Sequence, residues 1–318
     1  METISCIFCK SESRDVAITE NGYNGRLCST CRLIYISPRP SADEVINCYT
    51  HDNAAAYAEA QFGFENVNRR AARKRLDSIK RIRPSGALLE LGPGSGFFLE
   101  EARRLGYDVH GIELNPEEAE WIRSHLKIPC EDRPLSPESF DGKRFDIIYH
   151  RDVISHLSDP LAVFCDTNRA LNDNGLLVFE TGNIGDLHRK YHKYFSQFLY
   201  PDHLFFFGER SIAILLERTG FTPLFVSRRA ILLQLILQKL LWRLKDSLKD
   251  RERNGTVPQK RIQHYHPRRL NIKRHLRTYY RSVSSFLISL GTIVLPKTGR
   301  PLKLIVYAIK ETARTPKG

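Results

Sequence analysis

The chain has 318 residues, 42% of them hydrophobic, and carries 49 Lys and Arg against 36 Asp and Glu, a formal net charge of +13. That length exceeds one ordinary domain and that apolar content fills a packed interior, which excludes a disordered or fibrous chain. No apolar stretch follows a basic amino-terminal region, so a cytoplasmic protein is expected, with its seven cysteines acting as thiols or metal ligands rather than in disulfides.

The first feature in chain order is a pair of C-x2-C turns, Cys6-Ile7-Phe8-Cys9 and Cys28-Ser29-Thr30-Cys31, separated by eighteen residues. Each turn brings two sulfurs to one side, and two such turns complete a tetrahedron around Zn2+. Four thiolates leave no open coordination position, so the expected zinc is structural; four unrelated cytosolic thiols are the alternative. The residues between, with Asn21-Gly22 and Asn24-Gly25 as turns, read as a short hairpin arm. A module spanning 1–37 has almost no core of its own, so metal binding is expected to supply much of its folding free energy. Cys48, Cys130 and Cys165 lack such spacing and read as ordinary apolar residues.

After Pro38-Arg39-Pro40, a helical stretch runs from Ser41 to about Arg83. Ala87-Leu88-Leu89-Glu90-Leu91 then reads as an apolar strand entering the turn Gly92-Pro93-Gly94-Ser95-Gly96, with a helix from Phe97. Glycines at alternate positions let the backbone turn sharply and let a ligand lie against the main chain. A dinucleotide fingerprint needs glycine where this chain has Phe97, and a P-loop needs a Gly-Lys-Ser/Thr ending that is absent. What remains is an acidic residue, Glu90, before G-x-G-x-G, which suits a cationic ligand without a phosphate. About twenty residues on, Tyr107 to Leu114 reads as a second strand ending in Glu113, where Rossmann-like folds hold ribose hydroxyls with a carboxylate. Phe145 to His150 reads as a fourth strand, followed by Val153 to Pro160, and Leu171 to Glu180 leads into a fifth.

This ordered set resembles the class I S-adenosylmethionine-dependent methyltransferases. The resemblance implies an α/β fold: a Rossmann-like, seven-stranded, mostly parallel sheet with helices on both faces, here with a small amino-terminal zinc ribbon and a basic helical insertion before the last strand. The implied division is a ribbon over 1–37, a helical linker covering the cofactor over 38–82, a methyltransferase core over 83–227, the insertion over 228–300 and a final strand over 301–311. Glu90, Gly92, Gly94, Gly96 and Glu113 are expected to hold S-adenosylmethionine. Asp132, after the third strand, is expected to reach the adenine edge, and Arg151 to line the methionine end. Small members with such a ribbon carry a similar Pro-x-Pro and a tyrosine-bearing helix, here with Tyr49 and Tyr57; Tyr57 stands either near the methionine end or in plain packing.

Methyl transfer from a sulfonium is an in-line displacement, so alignment, exclusion of water and one general base suffice. His150, His156 and His203 are the base candidates, since histidine suits removal of a hydroxyl proton near neutral pH. His156 follows Ser155, where related proteins often show Glu-His. His203 lies in Tyr200 to Phe207, which resembles an acceptor-facing segment of the family, ahead of a helix over Ser211 to Thr219. A structural hydrogen-bonding role is the alternative for each, and Asp202 adjoins His203 too closely in sequence to orient it readily.

The charge is unevenly placed. Residues 1–227 carry 27 Lys and Arg against 32 Asp and Glu, whereas 228–318 carry 22 against 4. Between a sixth strand at Phe221 to Ser227 and a last strand at Leu302 to Lys310 lie some seventy inserted residues, with a helix expected over Ala230 to Lys249 and a second apolar run over Val283 to Leu295. Neither run is long and clean enough for a membrane span. Attachment to an anionic membrane at its inner face and a lid on the core are the two leading readings. Three functions compete: a methyltransferase acting on an oxygen of a small molecule, sugar or lipid-linked glycan; an RNA methyltransferase using the basic region to bind phosphates; and a noncatalytic adaptor, against which the intact glycine loop and Glu113 argue.

Overall fold

The computed structural model describes residues 1–47, 65–188, 203–231, 292–294 and 302–311. The main sheet forms around β4 (Ala87–Leu91), β5 (Asp108–Ile112), β6 (Cys130–Glu131), β7 (Phe145–Arg151) and β8 (Leu171–Gly182), which pair in parallel in the order β6-β5-β4-β7-β8. Beyond β8 lie β12 (Leu302–Lys310), antiparallel to it, and then β10 (Phe221–Ile231), antiparallel to β12. These are the seven strands expected, and their near-continuous Leu, Ile and Val content follows from burial on both faces. Helices cover each face. On one, α2 (Glu65–Lys80) and α3 (Phe97–Arg104) pack Leu76, Ile79 and Phe98 against Leu88, Ile147 and Val178; on the other, α5 (Pro160–Ala170) and α6 (Glu209–Arg218) bury Phe164, Ile212 and Leu215 against Leu89, Ile148 and Phe179.

Two expectations for the insertion are corrected at its ends. Strand β10 continues four residues beyond Ser227 into the stretch read as a helix, and β11 (Thr292–Val294), from the second apolar run, pairs antiparallel with Arg229 to Ile231 as an eighth, edge strand. Short aliphatic runs do not distinguish helix from strand by periodicity, and here the open edge of β10 decides. The rest of the insertion lies outside the described residues, as do Cys48, Tyr49, Tyr57, Tyr200 and Asp202. Of the linker helix, α1 (Ala42–Asn47) and α2 are described; Ser41 opens α1 with a capping box, its Oγ accepting from Glu44 N while Glu44 Oε2 accepts from Ser41 N. Among the described residues, no helix is long and apolar enough to cross a membrane.

The amino-terminal hairpin is β1 (Val16–Glu20) and β2 (Tyr23–Leu27), turning at Asn21 and Gly22, both with positive φ, as a two-residue turn between twisted strands requires. Asn24-Gly25 is not a turn but lies within β2. A third strand, β3 (Ile34–Ile36), pairs with β2 on one side and on the other with β9 (Phe205–Phe206), which belongs to the core segment before α6. The ribbon is therefore not self-contained. Phe8, Leu33 and Tyr35 are buried in the same cluster as Phe164, Phe207 and Leu215, so burial against the core contributes to its folding together with any metal.

Candidate functional site

The cofactor side is built where β4 ends. Gly92, Gly94 and Gly96 all have positive φ, of 67°, 56° and 77°. A side chain at Gly92 would place its Cβ 2.8 Å from Val153 Cγ2, so this turn needs glycine both for its dihedrals and for the approach of the segment after β7. Gly96 caps α3, whose first amides face the loop. Glu113, directly after β5, accepts from Gly94 N through Oε2 at 2.8 Å and from Asn115 N through Oε1 at 2.9 Å. Those bonds fix the carboxylate against the loop and leave lone pairs for further donors.

Glu90 is buried at the end of β4, and its Oε2 has no hydrogen-bond partner among the described residues. Burial, only partly opposed by Arg151, pushes its carboxyl well above the usual range. Arg151, at the end of β7, donates to Asn68 Oδ1 on α2 and lines one cleft with Glu90, Gly92, Phe97 and Tyr149. Behind this cleft, Arg75 of α2 donates to Glu180 Oε1 at 2.8 Å and to the Tyr307 hydroxyl at 2.7 Å, Tyr149 donates to the same Glu180 oxygen, and Lys303 lies 3.3 Å from the other. Burial opposes the ionised form of Glu180, yet Lys303 and Arg75 hold its carboxyl well below the usual range. Asp132 stands just past β6, as expected, with its exposed carboxylate 3.2 Å from Arg123.

A deeply buried carboxylate with an oxygen unpartnered among the described residues, a cation lining the same cleft and a glycine turn of positive φ beside it fit a ligand with a cationic end that lies along the main chain. The chemistry of this donor set fits S-adenosylmethionine, which has a cationic end and a ribose and no phosphate.

The three histidines named as base candidates separate cleanly. His150 is buried, stacked at 5.1 Å on Phe179 beside Phe164, and burial pushes its pKa down to about 3; it is a neutral core residue and not a base candidate. His156 and His203 instead meet, with ring centroids 4.3 Å apart. Two backbone links bring them together. Leu204 N and Phe205 N both donate to Ser155 O, at 2.8 and 3.2 Å, and His156 N donates to O of Val153, the residue packed on Gly92. The histidine pair is thus tied through one short turn to the glycine loop.

At the other end of the ribbon, the Sγ atoms of Cys6, Cys9, Cys28 and Cys31 all lie within 4.8 Å of one another, and none of the four is in a disulfide. A tetrahedral zinc with bonds of about 2.3 Å needs sulfurs about 3.8 Å apart, so the donor set fits a four-thiolate ion. Both turns end alike, Lys10 N bonding Cys6 O and Arg32 N bonding Cys28 O, with positive φ at Lys10 and Arg32.

Several contributors escaped the sequence reading. Asn115, whose Oδ1 accepts from Glu117 N and Glu118 N at the start of α4 (Pro116–Trp121), carries a helix-start signature that would have revealed it. Glu118, pushed up to about 8 by burial and by Glu113, sits beside Ser95 of the loop. Arg75, Asn68 and Glu180 have no local signal at all, because the partners described here lie 31 to 232 residues away.

A family model described as a methyltransferase domain matches residues 63–225, slightly more than half of the chain. Among curated proteins, the chain is 33% identical over 101 residues to a ubiquinone biosynthesis O-methyltransferase of Cereibacter sphaeroides, a match covering 30% of this chain and 41% of that protein. It is 27% identical over 180 residues to the protein of the same name from Ruegeria sp., covering 50% of this chain and 68% of the other. Of the first relative, then, the chain spans about two fifths. Among solved structures, phosphoethanolamine N-methyltransferase 2 of Haemonchus contortus in complex with S-adenosyl-L-methionine aligns at 19% identity over 88% of this chain and 62% of that one, with a TM-score of 0.49. The strand order, the glycine cradle and the family match over the core agree: the chain belongs to the class I S-adenosylmethionine-dependent methyltransferases.

Proposed function

We propose that the chain transfers a methyl group from S-adenosylmethionine to an oxygen of a small-molecule acceptor, of the sugar, phenol or lipid-linked glycan class, with the His156–His203 pair supplying the base. The observation that carries this reading is the 4.3 Å approach of the two rings on a turn that packs on Gly92. When bound, the cofactor supplies a methyl group on a positively charged sulfur that leaves as a neutral thioether. The chain's own residues do the rest. Glu90 and Arg151 orient the amino-acid end, Glu113 fixes the ribose, and an imidazole nitrogen of the pair takes the acceptor's hydroxyl proton as its oxygen attacks in line. The O-methyltransferase names of the curated relatives support oxygen as the accepting atom. We assign structural Zn2+ to the four cysteines, whose closed donor set leaves no position for an acceptor.

The excess positive charge of residues 228–318 favours an acceptor held at an anionic lipid surface, to which each nearby Lys or Arg contributes about 1 kcal/mol. The same charge favours RNA as the competing acceptor. One experiment separates them: transfer of radiolabelled methyl to catechols, lipid-linked sugars in anionic vesicles and total RNA, with wild type and with His203→Ala and His156→Ala. Labelling of a hydroxyl acceptor that drops at least about a hundredfold in the variants, with cofactor affinity retained, supports the reading. Labelling of RNA alone, or variants as active as wild type, refutes it.

A further inference from the structure

The cysteine-cluster hairpin touches the histidine pair at both of its supports. Strand β3 pairs with β9 through Ile34 with Phe206 and Tyr35 with Phe205, and Ile36 N donates to Leu204 O at 3.0 Å, so the residue after His203 is held between the ribbon and Ser155 O. Arg39, just past the ribbon and buried, donates through Nη1 to Ser158 O at 3.2 Å, two residues after His156. The same guanidinium lies over the Phe205 ring at 5.4 Å and bonds Glu2 Oε1 at 2.6 Å. Three segments, 33–39, 153–158 and 203–206, therefore close on one another, and only the first comes from the ribbon and the residues that follow it directly. Upstream, β3 begins three residues after Cys31, whose knuckle is closed by Arg32 N to Cys28 O, and Cys28 N donates to Leu33 O at 2.9 Å. The cluster's backbone thus runs directly into the strand that carries β9. Among the described residues no hydrogen bond joins the ribbon to the glycine loop, whose Gly92 and Gly94 amides bond Ile112 O and Glu113 Oε2.

We propose that the four-thiolate ribbon is a positioning element for the acceptor step: through β3 and Arg39 it fixes the relative placement of His156 and His203, so metal loss disturbs that pair while the cofactor site stays intact. The proposal rests on the reading of the pair as the acceptor-side base. Its chemistry follows from geometry. A base that must meet a hydroxyl proton in line with the methyl donor tolerates little displacement, and a two-residue strand such as β9 has few bonds of its own to hold it.

The test uses the full chain, with the metal stripped by a chelator and re-added as Zn2+, and needs no acceptor. The imidazole resonances of His156 and His203, assigned from His156→Gln and His203→Gln, are followed together with amide hydrogen exchange over 204–206 and calorimetric titration with S-adenosylmethionine. Stripping should shift both resonances and speed exchange over 204–206 by at least about tenfold, leave the resonance of His110, buried in β5 of the main sheet, in place, and keep cofactor affinity within about twofold. Arg39→Gln, which retains all four cysteines, should shift the His156 resonance with zinc still bound, so the proposal does not hang on a variant that fails to fold. Unmoved histidine resonances in both the stripped protein and Arg39→Gln overturn it. Cofactor affinity lost in parallel with the metal also overturns it, since the ribbon then supports the whole domain. If the resonances respond but His203→Ala still transfers methyl groups, the base assignment falls instead, and the two failures are told apart.

Discussion

Replacing Glu90 by glutamine tests its proposed role as the carboxylate that meets a cationic ligand. The carboxylate is buried, one of its oxygens has no partner among the described residues, and burial pushes its pKa well above the usual range although Arg151 lies nearby. A cation brought against it draws the pKa down again. Binding therefore releases protons, and affinity falls as pH drops below the pKa of the free carboxyl, by up to about tenfold per unit. Glutamine keeps the shape and loses the charge-assisted contact, a loss of about 1.5–3 kcal/mol, or roughly ten- to hundredfold in affinity. Because ionising Glu90 is already unfavourable in the folded chain, the neutral side chain should not lower stability, and weaker binding cannot be ascribed to unfolding. Calorimetric titration with S-adenosylmethionine in two buffers of different ionisation enthalpy measures both quantities. Wild type should release protons and Glu90→Gln should not. Equal affinity and equal proton release in the two proteins would refute the argument.

Arg75→Met removes the guanidinium from the buried Glu180, leaving it Lys303 and Tyr149 as direct partners among the described residues, and should cost about 3–5 kcal/mol, a fall of roughly ten degrees in thermal midpoint. The double replacement with Glu180→Met should recover part of that loss, and a double-mutant cycle with no coupling would contradict the pairing. Glu180 is held low in the folded state, so its stabilisation is present above the unfolded carboxylate pKa and is lost as pH falls through that value and below; Arg75→Met should flatten this acid limb of stability against pH. Glu118 behaves oppositely: with its pKa pushed up to about 8, the folded chain binds the extra proton, and stability declines as pH rises from the ordinary glutamate value towards 8. Glu118→Gln should remove that decline, by up to about 1.4 kcal/mol per pH unit across the window, and an unchanged slope in denaturant melts would count against it.

The parts of the fold that announce themselves in sequence are those whose cause is local. Glycines at 92, 94 and 96 are demanded by positive φ, and Glu113 by its place one residue past a strand, so pattern and geometry coincide. The four cysteines were legible for the same reason, each pair forming a single turn. What stayed hidden depends on partners far along the chain. Nothing near Arg75 indicates that it faces Glu180 and Tyr307, and nothing near Tyr35 indicates that its strand ends against Phe205. The histidines show both sides: candidate status came from residue type, but only the folded chain separates His150, packed on Phe179, from the pair at 156 and 203. Strand β10 was read too short because its last residues, Arg228 to Ile231, owe their conformation to Leu302 to Leu304 and to Thr292 to Val294 rather than to their own sequence.

The most direct test of the account is calorimetric titration of S-adenosylmethionine against the full chain and against Gly94→Val. Gly94 has φ of 56° and its amide bonds Glu113 Oε2, so a β-branched side chain there both strains the backbone and displaces the carboxylate proposed to hold the ribose. The account predicts one-to-one binding to the wild type, none detectable to Gly94→Val, and the same zinc content in both. Equal affinity for the two proteins would contradict it.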